Sequence, residues 1–303
     1  MPLQTVSPTH DTPPGDKRRR NRLLGIGLMA LGFFTFAAVD TMAKFMTGHF
    51  HPFQIVWTRQ LGLVAVVLVM AAVRGPGFLR SRLPGIQILR GAVAAVSATL
   101  FIFGVAYVPL ADAVSVTFVA PFIVTALGAL ILGEKVGLRR WVAVSIGFAG
   151  TLIVIRPGMG VFHPAIVLPV LAAGFFAVRQ IASRTLAAAD PTATTIAYTA
   201  LTSVAVLTIP ALLVWETPQT AEDIGLFAAM AVLAAVAEML IIRSLELAEA
   251  VVLAPIHYSM IIWGTFYGWM IFDELPDRWT ILGAAIIVGT GLYVINRERA
   301  RRR

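Results

Sequence analysis

The chain has 303 residues, of which 58% are apolar and 13% charged, with a formal net charge of +8 and no cysteine. An ordinary soluble domain is roughly 45–50% apolar and about 25% charged, so a soluble globular enzyme is excluded: too little polar surface remains to solvate a core of this size. Without cysteine there is no disulfide framework, thiolate metal site or thiol nucleophile. The basic surplus sits in joints between apolar runs, which argues for a lipid bilayer as the partner and against nucleic acid.

In chain order, residues 1–16 are rich in Pro, Thr, Asp and Gly and read as disordered. With the basic stretch that follows Lys17, they make a disordered cytoplasmic N-terminus over 1–22. The apolar run behind it is too long for a signal-peptide core and reads as an uncleaved first helix. Runs of about 20 apolar residues, the length that spans a bilayer, are predicted at 23–43, 53–73, 86–107, 112–132, 138–156, 164–185, 195–215, 224–244, 251–272 and 279–296. The predicted fold class is therefore an all-α polytopic membrane protein with ten transmembrane helices, closed by a basic tail over 297–303. With an even number of spans, 20 of the 24 Lys and Arg fall on one side. The positive-inside rule then puts both termini in the cytoplasm of a bacterial-type inner membrane.

The chain repeats itself. Leu110-Ala-Asp112-Ala113 is echoed by Leu247-Ala-Glu249-Ala250, and Glu134 by Glu274, 140 positions later. Asp112 and Glu134 are 22 apart and Glu249 and Glu274 are 25 apart, which reads as about one helical turn inserted in the later copy. An offset of 139 carries His51-Pro52 onto Asp190-Pro191, Arg59 onto Tyr198 and Asp40 onto Arg179. Repeats over 23–156 and 164–296 hold five spans each, an odd number, so the two copies cross the membrane in opposite senses. Inverted repeats of this kind build secondary transporters, with the substrate site near the midplane between halves.

Pro52 with Arg59, Ala120-Pro121, Leu132-Gly-Glu134, Gly147-Phe-Ala-Gly150, Asp273-Glu274 and Gly283-Ala-Ala resemble the motifs of the drug/metabolite transporter superfamily, EamA type, over about 20–299. Asp40-Thr-Met-Ala-Lys44 and Asp273-Glu-Leu-Pro-Asp277 are similar to bacterial S-adenosylmethionine uptake carriers and, less closely, to riboflavin importers. The resemblance implies a carrier of a small polar organic metabolite, with an S-adenosylmethionine-like, amino-acid-derived substrate. A riboflavin-type importer and an exporter of amino acids or their conjugates remain open. Ile261 stands where Pro121 maps in the second copy, a departure from strict symmetry.

Charges inside spans are costly and mark function by default. Asp40 and Lys44, at i and i+4, share a face of span 1, and Arg59 lies at similar depth in span 2. Together they read as an outer cluster that binds a carboxylate or gates the cavity, or as an ion-pair set with Lys44 snorkelling. Arg179 and Glu238 lie at matching depth near the inner side, as a salt bridge or a gate. Trp57, Tyr198, His257, Tyr258, Trp263 and Tyr267 are polar or aromatic cavity candidates. His257 and Tyr258 follow Pro255, where a broken helix frees backbone groups to line a cavity. Glu134 and Glu274 sit at loop corners and read as caps on the helices that follow; Pro121 is a structural motif residue.

No HExxH, P-loop, GxSxG or post-strand GxGxxG occurs, so an enzyme or nucleotide-driven pump lacks its chemistry. A membrane-embedded enzyme or scaffold is the rival of another class. The expected partners are a small-molecule substrate, a proton or counter-substrate, and the bilayer. No cofactor or metal is expected, and monomer and homodimer are both open.

Overall fold

A computed structural model describes residues 14–131, 137–156, 163–187 and 189–301. The first half holds α1 (Pro14–Met46), α2 (Pro52–Arg74), α3 (Pro84–Val105), α4 (Leu110–Thr117), α5 (Ala120–Ile131) and α6 (Leu138–Ile155). The second holds α7 (Val167–Ala187), α8 (Thr192–Leu213), α9 (Ala221–Leu247), α10 (Ala250–His257), α11 (Ser259–Phe272) and α12 (Arg278–Arg301). There is no strand among the described residues. Among the described residues, seven stretches are long and apolar enough to cross a bilayer alone, and Leu110–Leu130, made of α4 and α5, is one of them. Trp141–Ile155 and Arg278–Val294 are shorter apolar helices, and α10 with α11 makes the remaining pass, ten in all.

Three expectations change. Residues 14–22 are helical rather than disordered, since the Lys and Arg after Gly15 are good helix formers. Likewise α12 runs through the basic tail to Arg301. The echo of the acids also reads differently: α4 and α10 are both 8 residues long, while Glu134, which ends the shorter spacing, lies outside the described residues. The caps before them are Pro109 and Glu249, 140 apart. Asp112 lies in the first turn of α4 while Glu249 precedes α10, so the sequence echo of the two acids is displaced from the structural equivalence.

The breaks are also equivalent. The first falls at Phe118-Val119 and the second at Tyr258, and the Phe118 and Tyr258 rings touch across the repeat axis, 5.1 Å between centroids. The halves interleave: α1 packs on α9 and its mate α7 on α3, while α2 meets α8 and α6 meets α12. Close approach needs small residues; a Cβ on Gly283 would lie 2.6 Å from the Gly150 carbonyl oxygen, so α6 and α12 touch backbone to backbone. Ile55, Ile102, Leu110 and Val116 of the first half share one buried core with Met230 and Ile287 of the second. Leu68, Val69, Ile209, Leu212, Val232 and Ile262 are exposed, a girdle that suits hydrocarbon rather than water.

One inequality breaks the symmetry. At the end of the bundle that carries Glu274, α4 packs on both α11 and α12. Val114 and Leu110 of α4 lie beside Gly264 and Gly268 of α11. At the opposite end, which carries Asp190, the mate α10 packs on α12 but has no comparable packing on α5 or α6 among the described residues.

Candidate functional site

The charged candidates form two layers, one near each end of the bundle. At the Glu274 end, α11 stops because Asp273 takes a left-handed conformation, φ 55°. Such a residue is a common helix terminator, and aspartate tolerates it better than most side chains. The Glu274 N–H then bonds back to the Gly268 carbonyl at 3.0 Å, which turns the Glu274 side chain over the bundle. There Lys44 Nζ donates to both of its oxygens, at 2.7 and 2.5 Å, and to the Val108 carbonyl at 3.1 Å. The Leu110 N–H at the start of α4 donates to the same carboxylate at 3.3 Å. Glu274 therefore ties α1 and α4 to the α11–α12 corner. The cap on α12 is Asp277 instead, which accepts from the Trp279 and Thr280 N–H groups at 3.1 and 2.9 Å. Partial burial works to raise the Asp277 carboxyl, but the Thr280 hydrogen bonds and its Arg156 partner outweigh it and hold it below the ordinary carboxylate value. The Thr280 hydroxyl donates to Asp112 at 2.8 Å, adding a further α12–α4 tie.

Asp40 and Lys44 do not work together. Asp40 is buried and accepts from Arg59 Nη1 at 3.0 Å, with the guanidinium 5.2 Å from the Phe36 ring centroid. Trp57 faces away from this pair: its Nε1 donates to Thr208 at 3.0 Å and its ring meets Trp215 edge on.

In the middle, aromatic side chains surround the two helix breaks. His257 stacks on Phe33 at 4.8 Å and meets Phe118 edge on at 5.3 Å. Trp263 stands edge on to Phe34 at 5.0 Å, and Tyr267 leans on the same ring. Trp263 Nε1 and Ser259 Oγ, just after the second break, are buried without a protein hydrogen-bond partner, as is Thr99 Oγ1 of α3. Each such atom costs roughly 1–3 kcal/mol unless something else satisfies it.

Toward the Asp190 end lies a group that sequence reading did not assemble. Arg90 is well inside α3, which starts at Pro84. Its Nε donates to Ser183 Oγ of α7 at 2.8 Å and its Nη1 to Thr199 Oγ1 of α8. Those two hydroxyls donate in turn to the carbonyls of Arg179 and Thr195, both at 2.7 Å, which aims their lone pairs at Arg90. Arg179 lies over the Phe176 ring at 4.9 Å, and its buried Nε has no partner. Glu238, half-buried on α9, acts electrostatically on both arginines. Among the described residues, however, Arg179 and Glu238 make no ion pair within 4 Å. Tyr198, half-buried on α8, precedes Thr199; its backbone carbonyl lies beneath Gly91 of α3. The predicted span 86–107 already contained Arg90, and that position was the signal for it.

The loops at this end are held by Asp190. Its carboxylate accepts from Ser81 Oγ at 2.5 Å, Arg82 N at 2.8 Å and Gln87 Nε2 at 2.8 Å. These hydrogen bonds hold its carboxyl below the ordinary value. Pro121 lies in the first turn of α5, on an exposed face. Glu134 lies outside the described residues, and no cluster of His, Asp and Glu among those described is fit to hold a metal ion.

Against known proteins, the sequence model of the EamA-like transporter family matches twice, over residues 23–156 and 163–297. An S-adenosylmethionine uptake transporter of Rickettsia bellii is 27% identical over 277 residues, 91% of this chain and 94% of that protein. A riboflavin transporter of Vibrio cholerae is 28% identical over 94% of this chain and 97% of its own length. A pseudopaline exporter of Pseudomonas aeruginosa is 28% identical over 87% and 93%. A protein known from a crystal structure shares the fold with a TM-score of 0.59 at 19% identity, over 94% of this chain and 98% of its own. The chain belongs to the EamA-like transporter family and is a multi-pass membrane protein.

Proposed function

We propose that this member of the EamA-like transporter family is an inner-membrane secondary carrier that moves a small, polar, amino-acid-derived metabolite by alternating access. The Asp190 end faces the cytoplasm, and a proton or counter-substrate supplies the coupling. The observation that carries the reading is the unequal packing of equivalent helices. One sequence element, used twice in opposite senses, closes the Glu274 end through α4, α11 and α12, while among the described residues its mate α10 lacks the equivalent packing on α5 and α6 at the Asp190 end. A carrier that alternates needs two such arrangements of near-equal energy, and inverted repeats supply them by exchanging roles. The fold then stands in the state open toward the Asp190 end, with Lys44–Glu274 and Asp40–Arg59 as the closed outer gate. The basic residues near the Asp190 end support its cytoplasmic orientation.

The relatives' names favour an S-adenosylmethionine-like cargo. An exporter among them keeps direction tied to gradients. The test is uptake of radiolabelled S-adenosylmethionine, riboflavin and amino acids into proteoliposomes, with and without an imposed proton gradient. Saturable, counterflow-competent uptake of one of them is expected. Absence of both uptake and counterflow across the panel rejects the proposed cargo class. Orientation is read from single cysteines added to this cysteine-free chain: an impermeant thiol reagent applied to intact cells should label 217–220 and spare 80–84, and the reverse pattern inverts the topology.

A further inference from the structure

We infer that Arg90, Arg179 and Glu238 form the subsite for an α-amino-acid head group, with the carboxylate on the two guanidiniums and the ammonium against Glu238. The inference rests on the carrier reading above and deepens it. Three observations converge on it. The residues come from α3, α7 and α9, so the group straddles the two halves, where an alternating-access carrier must hold its cargo. Arg90 is already fixed: Ser183 and Thr199 take its Nε and Nη1 and leave Nη2 free. Among the described residues Arg179 is held by the Phe176 face; its Nε is buried without a partner, while the residue as a whole is half-buried.

Glu238, half-buried on α9, completes the set. Its oxygens have no hydrogen-bond donor among the described residues, yet they are not sealed from accessible space. Two cations and an anion within each other's field that nevertheless do not pair are costly at this depth. An object of the opposite pattern, carrying a carboxylate and an ammonium on neighbouring atoms, satisfies both signs of charge at once. Two guanidiniums facing one carboxylate offer the fork geometry that gives strong charge-assisted bonds. A plain anion would leave Glu238 unused, and a plain amine would leave both arginines unused.

The test uses the full-length protein in detergent, with unfolding midpoints read against ligand concentration. The probes are the twenty common amino acids, S-adenosylmethionine, its decarboxylated form, the analogue lacking only its amino group, and riboflavin. At least one zwitterion is expected to stabilise the protein, and loss of either its carboxylate or its amino group should weaken binding at least tenfold. In Arg179→Gln, removal of the carboxylate should no longer matter; in Glu238→Gln, removal of the amino group should no longer matter. Arg90→Lys, which keeps the charge and loses the fork, serves as the arginine variant should Arg179→Gln fail to fold. Binding of riboflavin alone, or of no zwitterion, overturns the subsite, as does an unchanged penalty for head-group removal in the variants. Proteoliposome uptake separates the two proposals: transport of a probe without either head-group charge leaves the carrier standing and removes the subsite.

Discussion

The two ends of the bundle are built from equivalent helices and treat their charges in opposite ways. At the Glu274 end, among the described residues, charges pair between elements: Lys44 with Glu274, Asp40 with Arg59, and Arg156 with Asp277. At the Asp190 end, among the described residues, Arg90 reaches only hydroxyls, and Arg179 and Glu238 make no ion pair. Paired charge closes a gap between helices, whereas unpaired charge must be met by water or by cargo. The fold alone does not fix which end is closed, because the duplicated helices could pack either way; the side chains at equivalent positions decide it. Asp40 is the mate of Arg179 and Arg59 of Tyr198, so one copy holds a complete ion pair where the other holds an arginine and a phenol.

The comparison is best broken at its strongest contact. Asp40 and Arg59 are nearly buried, with side-chain exposures of 7% and 14%, and loss of one member of such a pair costs about 3–5 kcal/mol. Arg59→Ala and Asp40→Ala should each lower the unfolding midpoint strongly, and the double variant should recover much of the loss. Equal, additive losses in a thermal double-mutant cycle would mean the pair does not hold this end together. The Lys44–Glu274 contact is less enclosed and, as a charge-assisted hydrogen bond, contributes about 1.5–3 kcal/mol. Glu274→Gln should shift the chain toward opening at that end. A cysteine at Ala111, buried just beneath the contact, should then react at least tenfold faster with an impermeant thiol reagent. An unchanged labelling rate would remove Glu274 from the gate.

A smaller effect is expected where Asp190 ties the loops. Its carboxyl is held below the ordinary value by Ser81, Arg82 and Gln87. The stabilisation is therefore present above the unfolded aspartate value of about 3.9 and is lost as pH falls through the lower folded one. The unfolding midpoint of the wild-type chain should exceed that of Asp190→Asn at neutral pH, and the gap should shrink on acidification below about pH 4. A gap independent of pH would assign the tie to shape rather than charge.

Much of this architecture was legible because a bilayer imposes coarse rules. Ten apolar runs, an offset near 140 and a proline before His257 led to ten passes, an inverted duplication and a broken helix. The partners were harder to read. Helical spacing places Asp40 and Lys44 on one face, but each is taken by a different neighbour, Arg59 of α2 and Glu274 of the α11–α12 corner. Among the three acids from Asp273 to Asp277, sequence cannot rank Asp277 as the cap, since that depends on where Asp273 turns the chain. Arg90 fell inside the predicted span 86–107, but its partners on α7 and α8 depend on how the helices pack, which the sequence does not give.

The finest test of the contrast is the coupling between Arg179 and Glu238. Charges more than 4 Å apart across water attract by at most about 1 kcal/mol, against about 3–5 kcal/mol lost on breaking a buried contact pair. In the absence of cargo, the thermal effects of Arg179→Gln and Glu238→Gln should therefore add, with a coupling no larger than about 1 kcal/mol. Addition of S-adenosylmethionine, or of whichever zwitterion stabilises the protein, should change this. A ligand held at both ends makes each residue's contribution depend on the other, so the cycle repeated at saturating ligand should show a larger coupling than the ligand-free one. Strong coupling without ligand would show that the two side chains meet directly in solution, making the Asp190 end a second ion-paired gate and erasing the difference between the ends. Additivity in both conditions would leave the ends different but would separate Glu238 from the cargo.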